Sequence, residues 1–224
     1  MAIPFFFCAC CCKINMIAPL TIEEQYWATG RDVVGTDEAG RGCLCGPVVC
    51  AAVSFNKNLP VDANDSKKLS VAMRKSMCTL LEKQTRYGVT SRSARYIDAN
   101  NILSASLDGM RDAVMSVITD NQLDNPIVLV DGNRPIPNLP YEQKCIVKGD
   151  SKSRSIAAAS VFAKVYRDDY MVMLNKITGN KYALDCHKGY PSRRHYDALK
   201  QHGPSDFHRQ SFRLTGNYST KKVC

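Results

Sequence analysis

The chain has 224 residues, of which 45% are hydrophobic and 23% charged, and it carries a formal net charge of +9. This length suits one good-sized core, and the composition is that of a globular protein, since no stretch is long and apolar enough to span a bilayer. The basic excess favours a polyanionic partner, either nucleic acid or an anionic membrane surface, over a merely solvated basic surface.

The chain begins with an apolar, cysteine-rich run. No Lys or Arg precedes residues 3–10, whereas a secretory signal needs a positive start. Four of the eleven cysteines lie within residues 8–12, without the paired spacing or the histidine partner of a metal site. An odd number of cysteines argues against a disulfide scaffold and favours buried free thiols in a reducing cytosol. We therefore expect residues 1–16 to lie outside the core and the protein to be cytoplasmic.

Strand patterns and helix patterns are mixed along the chain, without an internal repeat or a low-complexity linker. A helix predicted to begin near residue 66 should bury one face that carries Leu69, Met73, Met77, Leu80 and Leu81. This mixture predicts one α/β domain. In chain order the predicted elements are a helix at 19–30, strands at 33–37 and 47–55, a turn at 56–60, a helix beginning near 66, a strand at 87–93, a helix at 103–118, strands at 127–130 and 145–147, and a helix at 156–174.

The first strand leads into two adjacent carboxylates, Asp37 and Glu38, and then into a glycine-rich turn. Gly40 and Gly42 permit a close approach of the backbone to a ligand, because they have no Cβ. Arg41 between them indicates either a phosphate partner or an internal ion pair.

Four carboxylates share one position in the pattern: Asp37, Glu38, Asp131 and Asp150 each lie at the exit of an apolar run, close to glycine. If those runs are neighbouring strands, the carboxylates converge at one edge of the sheet. Crowded like charges need a neutralising cation, and hard oxygen ligands select Mg²⁺ or Mn²⁺. Two such ions could hold both the attacking water and the leaving oxygen of a phosphodiester. Taken singly, Asp131 could instead be a turn residue and Asp150 a helix cap.

Residues 187–224 hold eight Lys or Arg and only two acids. The aromatic residues Tyr190, Tyr196, Phe207 and Phe212 are interleaved with these charges, which suits a nucleic-acid groove. The alternative is a basic surface helix followed by a frayed tail. The four histidines all lie beyond residue 186 and are expected at the surface or in contact with nucleic acid. Arg167 and Asp168 are expected on a solvated or ion-paired helix surface.

Five motifs follow one another along the chain: Asp37-Glu38-Ala39-Gly40-Arg41-Gly42 with Gly46-Pro47-Val48-Val49; Val130-Asp131-Gly132-Asn133; Lys148-Gly149-Asp150; Ser155-Ile156-Ala157-Ala158-Ala159-Ser160 with Ala163-Lys164-Val165 and Arg167-Asp168; and His187-Lys188-Gly189-Tyr190-Pro191 with Gly203-Pro204-Ser205 and His208-Arg209. In this order they resemble the signature of the type 2 ribonucleases H (bacterial ribonuclease HII), over about residues 31–213. Cys43 departs from the proline that is frequent in this family, and Ser192 from the frequent threonine.

The resemblance implies an α/β, ribonuclease H-like mixed sheet flanked by helices, followed by a basic, helical C-terminal segment. It implies endonucleolytic cleavage of RNA in RNA/DNA hybrids and at single ribonucleotides embedded in duplex DNA. It also implies that Asp37, Glu38, Asp131 and Asp150 bind two Mg²⁺ or Mn²⁺ ions, without an organic cofactor. The backbone of Gly40, Arg41 and Gly42, together with Tyr190, would read the 2′-hydroxyl that distinguishes RNA from DNA.

These inferences predict an N-terminal extension at 1–30, a catalytic domain at 31–186 and a substrate-binding segment at 187–224, in a monomer. Two rival hypotheses remain at this point. One is a non-catalytic nucleic-acid-binding module of the same fold, and the other is a related nuclease with a different choice of strand or junction.

Overall fold

The computed structural model describes residues 21–55 and 70–215. The expectations for residues 1–16, for the turn at 56–60, for Leu69 and for the end of the basic segment beyond 215 lie outside these ranges. Within the described ranges, no helix is both long and apolar enough to cross a membrane.

A five-stranded mixed sheet forms the centre of the molecule, with the order β3-β2-β1-β4-β5. Strands β1, β2 and β3 pair antiparallel, whereas β1, β4 and β5 pair parallel. Because β1 and β4 are parallel neighbours, their carboxyl ends meet at one edge of the sheet. The strands are β1 (Val33–Ala39), β2 (Val48–Phe55), β3 (Thr85–Arg92), β4 (Ile127–Asp131) and β5 (Glu142–Ile146).

Helices cover both faces of the sheet. The two longest, α4 and α5, lie on opposite faces, and a 3₁₀ turn at Gly149–Ser151 leads into α5. This arrangement confirms the predicted α/β class, with a mixed sheet, flanking helices and a helical C-terminal segment. The helices are α1 (Thr21–Trp27), α2 (Val71–Gln84), α3 (Ala94–Asn100), α4 (Ile102–Asp120), α5 (Arg154–Ile177), α6 (Leu184–His187) and α7 (Arg193–His202).

The alternation of side chains along the strands decides which helix each residue meets. Val34 and Val128 pack in one core cluster with Val114 of α4, whereas Val33 and Leu129 pack with Ile156 of α5. At Gly35 the backbone of α5 comes so close that an added Cβ would overlap it. Odd positions of β1 therefore face α5 and even positions face α4, which places the side chains of residues 37 and 38 on opposite faces.

The predicted buried face of α2 is partly wrong. Met77 and Leu81 are buried, but Met73 is 49% and Leu80 is 39% exposed. The stripe that packs near Phe162 of α5 contains Met77, Cys78 and Leu81. Met73 and Leu80 flank this stripe, so they remain in solvent.

The six cysteines that the structure describes are all free, as predicted, but only four of them are buried. Cys43, Cys45, Cys50 and Cys78 are buried, whereas Cys145 is partly exposed and Cys186 is exposed. Burial raises the pKa of the Cys45 thiol to about 12, so it stays protonated and unreactive at neutral pH.

Candidate active site

The parallel pairing of β1 with β4 brings the predicted carboxylates to one place. Asp37 and Glu38 lie near the end of β1, and Asp131 is the last residue of β4. All three line one cleft of about 350 Å³. Asp150 lies buried in the 3₁₀ turn before α5, near enough for its charge to affect Asp37. Glu38 and Asp131 also line a neighbouring hollow of about 260 Å³ beside α4, so the carboxylates lie between two grooves.

Local hydrogen bonds orient these carboxylates. The Glu38 amide donates to Asp37 Oδ1 at 2.7 Å, and Arg41 Nη1 donates to Glu38 Oε1 at 3.2 Å. The amide of Gly149 donates to Asp131 Oδ1 at 2.7 Å, which ties the end of β4 to the turn that carries Asp150. Of the two readings of Arg41, the structure therefore shows the internal ion pair.

The electrostatics of the cluster favour a bound cation. Burial raises the pKa of Asp37 well above its ordinary value, and the charges of Glu38, Asp131 and Asp150 raise it further. Burial also raises the pKa of Glu38, although Arg41 opposes this shift. A divalent ion would stabilise the ionised carboxylates, and their oxygens are the ligands that Mg²⁺ and Mn²⁺ prefer.

The positions of these side chains fit that requirement in charge and donor type, but they do not form a finished coordination shell. Among the described residues, no three His, Cys, Asp or Glu side chains already surround a point that could hold a metal ion. Asp37, Glu38 and Asp131 each use one oxygen in the hydrogen bonds given above.

The turn at 40–42 forms the rim of the cleft. Gly40 has a φ of +97°, and an added Cβ would overlap the side chain of Arg167, so only glycine fits. At Gly42, by contrast, an added Cβ would meet nothing within 4 Å. This open side leaves room for a ligand to approach the backbone.

Tyr190 lines the same cleft and is 40% exposed. Two cations lie near its ring, since Lys164 Nζ and Arg167 Cζ are each 5.5 Å from the ring centroid. Such cation–π contacts hold an aromatic side chain in place.

Three polar cleft residues had no predicted role, although two of them stand in the fourth motif: Arg74 on α2, and Ser160 and Lys164 on α5. Ser160 and Lys164 are four residues apart, so they share a helix face. That spacing was the available signal, but the apolar run around it indicated only a buried helix. Lys164 pairs with Asp168 at 2.8 Å, so Asp168 is ion-paired as expected, but it is buried rather than at the helix surface.

Two expectations about polar residues of the family motifs are wrong. Arg167 is fully buried, because its guanidinium donates to the carbonyls of Pro47 and Cys45 instead of reaching solvent. His195 and His208 are also buried rather than lying at the surface, because they hydrogen-bond to each other.

The comparisons with known proteins agree with this arrangement. A family model described as Ribonuclease HII matches residues 34–215. The ribonuclease HII of Agrobacterium fabrum is 44% identical over 192 residues, covering 85% of this chain and 84% of that protein. The ribonuclease HII of Salinibacter ruber is 42% identical over 201 residues, covering 87% of this chain and 98% of that protein.

Solved structures show the same architecture. Ribonuclease H2 from Pyrococcus horikoshii superposes with a TM-score of 0.64 at 26% identity, over 82% of this chain and 94% of that one. Bst-RNase HIII in complex with Mn²⁺ superposes with a TM-score of 0.66 at 16% identity, over 77% of this chain and 63% of that one. The sheet order, the clustered carboxylates and these relatives lead to one conclusion: the chain belongs to the ribonuclease HII family, and it is an endoribonuclease with the ribonuclease H fold.

Proposed function

We propose that this chain cleaves the RNA strand of RNA/DNA hybrids and cuts duplex DNA at single embedded ribonucleotides, leaving 5′-phosphate and 3′-hydroxyl ends. The observation that carries the proposal is the common cleft, which three carboxylates share with the 40–42 turn and Tyr190. A hydrolytic centre and a ribose-recognition surface thus lie side by side.

We propose further that Asp37, Glu38, Asp131 and Asp150 hold two Mg²⁺ or Mn²⁺ ions. Bound ions of this kind activate water and stabilise charge on the leaving oxygen. The carboxylates themselves provide hard oxygen ligands on a rigid sheet edge, with Asp37 buried and the amide of Gly149 orienting Asp131. The Mn²⁺ complex of Bst-RNase HIII, a protein of the same fold, supports this assignment.

The neighbouring cations suit the phosphates of the cleaved strand. Lys164 and Arg74 line the cleft, and both lie near Asp168, at 2.8 and 3.9 Å. Asp168 would restrain the two side chains near the scissile phosphate. The basic segment with α7 would extend the contact along the duplex, since its Arg193 is exposed.

Selection of RNA would depend on the other side of the cleft. The open backbone at Gly42 and the hydroxyl and ring of Tyr190 are suited to read a 2′-hydroxyl. We also propose that the protein acts as a monomer in the cytoplasm, since nothing in the proposed reaction requires a second subunit.

A nicking assay tests this function. A DNA duplex with one ribonucleotide is incubated with the protein and either Mg²⁺ or EDTA, beside a uniform RNA/DNA hybrid of the same sequence. We expect one cut at the ribonucleotide, with Mg²⁺ only, and cuts along the hybrid. Cleavage of the hybrid alone would show a nuclease with a different choice of substrate.

Asp37→Asn should lower the rate at least about 1000-fold, equivalent to ~4 kcal/mol, while duplex binding and folding persist. The matched control is Asp120→Asn, which removes an exposed carboxylate at the end of α4. Full activity of the Asp37 variant would refute the assignment of the metal-binding carboxylates.

A further inference from the structure

Arg209 is a fully buried cation that binds backbone carbonyls rather than a carboxylate. Its guanidinium donates to the carbonyls of Gly40 at 2.8 Å, Arg41 at 2.8 Å and Gly46 at 3.0 Å. Burial lowers its pKa to about 10, so it remains charged at neutral pH. An unpaired buried charge is costly, and three carbonyl dipoles offset this cost only while the turn keeps its present conformation.

The contact with these carbonyls also fixes the amide groups of the turn. In a trans peptide the C=O and the following N–H point in opposite directions. The carbonyls of Gly40 and Arg41 point at Arg209, so the N–H groups of Arg41 and Gly42 point away from it. Arg209 therefore determines which groups of the 40–42 turn are presented to a ligand.

A chain of histidines reaches Tyr190 from the same segment. His208 Nδ1 accepts from the amide of Ser205 at 3.0 Å, so its proton is on Nε2. That Nε2–H donates to His195 Nε2 at 3.1 Å, and the Nδ1–H of His195 donates to the Tyr190 carbonyl at 3.1 Å. Each ring is thus assigned a single neutral tautomer by its neighbours.

A third ring supports the first two. His187 stacks on His195 with 4.4 Å between centroids. It accepts from the amide of Gly189 at Nδ1 and donates from Nε2 to the Tyr182 carbonyl at 2.9 Å. The backbone that leads into Tyr190 is thereby held by a packed and fully hydrogen-bonded network.

The segment that supplies both connections is itself anchored. The Arg209 amide donates to the Leu44 carbonyl at 2.9 Å, and the Leu44 amide donates to the Gly189 carbonyl at 2.8 Å. Asp98 of α3 accepts from the amides of Gln210 and Ser211 at 2.9 Å. Residues 208 and 209 therefore connect the 40–42 turn with Tyr190. Hydrogen bonds to Leu44 and Asp98 hold the backbone of residues 209–211.

We propose that the adjacent residues His208 and Arg209 are positioning residues for ribonucleotide selection: Arg209 sets the 40–42 turn, and His208 sets Tyr190 through His195. The proposal rests on the proposed function, in which that turn and Tyr190 read the 2′-hydroxyl. Neither residue lines the cleft that holds the carboxylates. Their loss should therefore change selectivity for the ribonucleotide and leave metal use and general duplex affinity unchanged.

Variants of His195 and Arg209 separate positioning from bulk stability. His195→Leu removes the donor to Tyr190, whereas His195→Asn keeps an N–H near the position of Nδ1. Arg209→Lys keeps the charge but cannot reach all three carbonyls. The readouts are kcat and KM for a DNA duplex with one ribonucleotide, the Mg²⁺ concentration for half-maximal rate, the Kd for the all-DNA duplex, and thermal unfolding.

We expect His195→Leu and Arg209→Lys to lower kcat/KM about tenfold or more. His195→Asn should stay within about threefold of the wild type, and the Mg²⁺ requirement and all-DNA affinity should stay within about twofold. The proposal is overturned if folded His195→Leu and Arg209→Lys keep the wild-type kcat/KM for the ribonucleotide duplex. It is also overturned if His195→Asn is as impaired as His195→Leu, or if the variants lose affinity for the all-DNA duplex to the same extent.

The wild-type protein offers a test that needs no variant. Long-range ¹H–¹⁵N spectra of the histidine rings should show the Nδ1–H tautomer for His195 and the Nε2–H tautomer for His187 and His208. The Nε2–H tautomer at His195 would overturn the proposed link from His208 through His195 to Tyr190, even if every variant failed to fold. If the wild type does not nick the ribonucleotide duplex, the proposed function fails; if it nicks and the variants match it, only the positioning role fails.

Discussion

Acid should weaken the fold through the two buried histidines near Tyr190. His195 and His208 are 0% and 1% exposed, and burial lowers the pKa of each from 6.5 to about 4. The unfolded chain therefore takes up protons first as the pH falls, which favours unfolding. The stabilising contribution is complete above about pH 6.5 and is lost progressively towards pH ~4.

The magnitude follows from these pKa values. Between pH ~7.5 and pH ~5, one such histidine lowers the free energy of unfolding by about 2 kcal/mol. Because His195 and His208 share a hydrogen bond, we expect the pair to contribute between this value and twice it. Asp37 acts with the opposite sign, since its raised pKa stabilises the fold as the pH falls. The measurement is therefore made in the Asp37→Asn background.

Urea unfolding at the two pH values gives the test. In that background, the further change His208→Gln should reduce the acid-induced loss of unfolding free energy by about 2 kcal/mol, since one of the two titrating rings is gone. His202→Gln is the matched control, because its ring is exposed. An equal pH dependence with and without His208, or an effect of His202 as large as that of His208, would refute the reasoning.

Three further predictions concern single positions. Gly40→Ala should lower the free energy of unfolding in denaturant by at least about 2 kcal/mol, because φ is +97° there and the added Cβ overlaps the Arg167 side chain. Gly42→Ala is the control and should have no such effect, because its Cβ would meet nothing within 4 Å. Tyr190→Ala should lower the rate of cleavage at a lone ribonucleotide about tenfold, or ~1.4 kcal/mol, while the Mg²⁺ concentration for half-maximal rate stays the same. A higher Mg²⁺ concentration for half-maximal rate would contradict its role. Glu23→Ala should cost ~1–3 kcal/mol of unfolding free energy, because the buried Glu23 carboxylate accepts three hydrogen bonds at the start of α5, and the exposed Glu24→Ala is its control.

The sequence predicted the parts of the fold that depend on local pattern. The apolar run at residues 127–130 lies in the buried strand β4 (Ile127–Asp131), as expected. The regularly spaced apolar residues between 103 and 118 lie in the helix α4 (Ile102–Asp120), also as expected. Met73 was misplaced, because periodicity shows that a helix has a buried stripe but not how wide its neighbour is. The width of that stripe depends on α5, which lies far along the chain.

The same distinction applies to the site. Asp37, Glu38 and Asp131 could be placed because each one ends a recognisable strand, and the ends of parallel neighbours must meet. The buried state of Arg209 could not be placed, because its partners are carbonyl oxygens 163 to 169 residues away, and carbonyls carry no signature in the sequence. The general expectation that Arg and His lie in solvent was therefore wrong at those positions where the backbone itself supplies the acceptors.

Different parts of the chain hold the carboxylates, on the one hand, and the 40–42 turn and Tyr190, on the other. The carboxylates are fixed by the strands that carry them, through the backbone pairing of β1 and β4. The 40–42 turn and Tyr190 have no such support, since both lie outside the strands and are held by side chains of the C-terminal segment. The proposed hydrolytic centre and the proposed ribose-recognition surface should therefore respond to different mutations. A substitution in the C-terminal segment that impaired Mg²⁺ use before it impaired selection of the ribonucleotide would contradict this division.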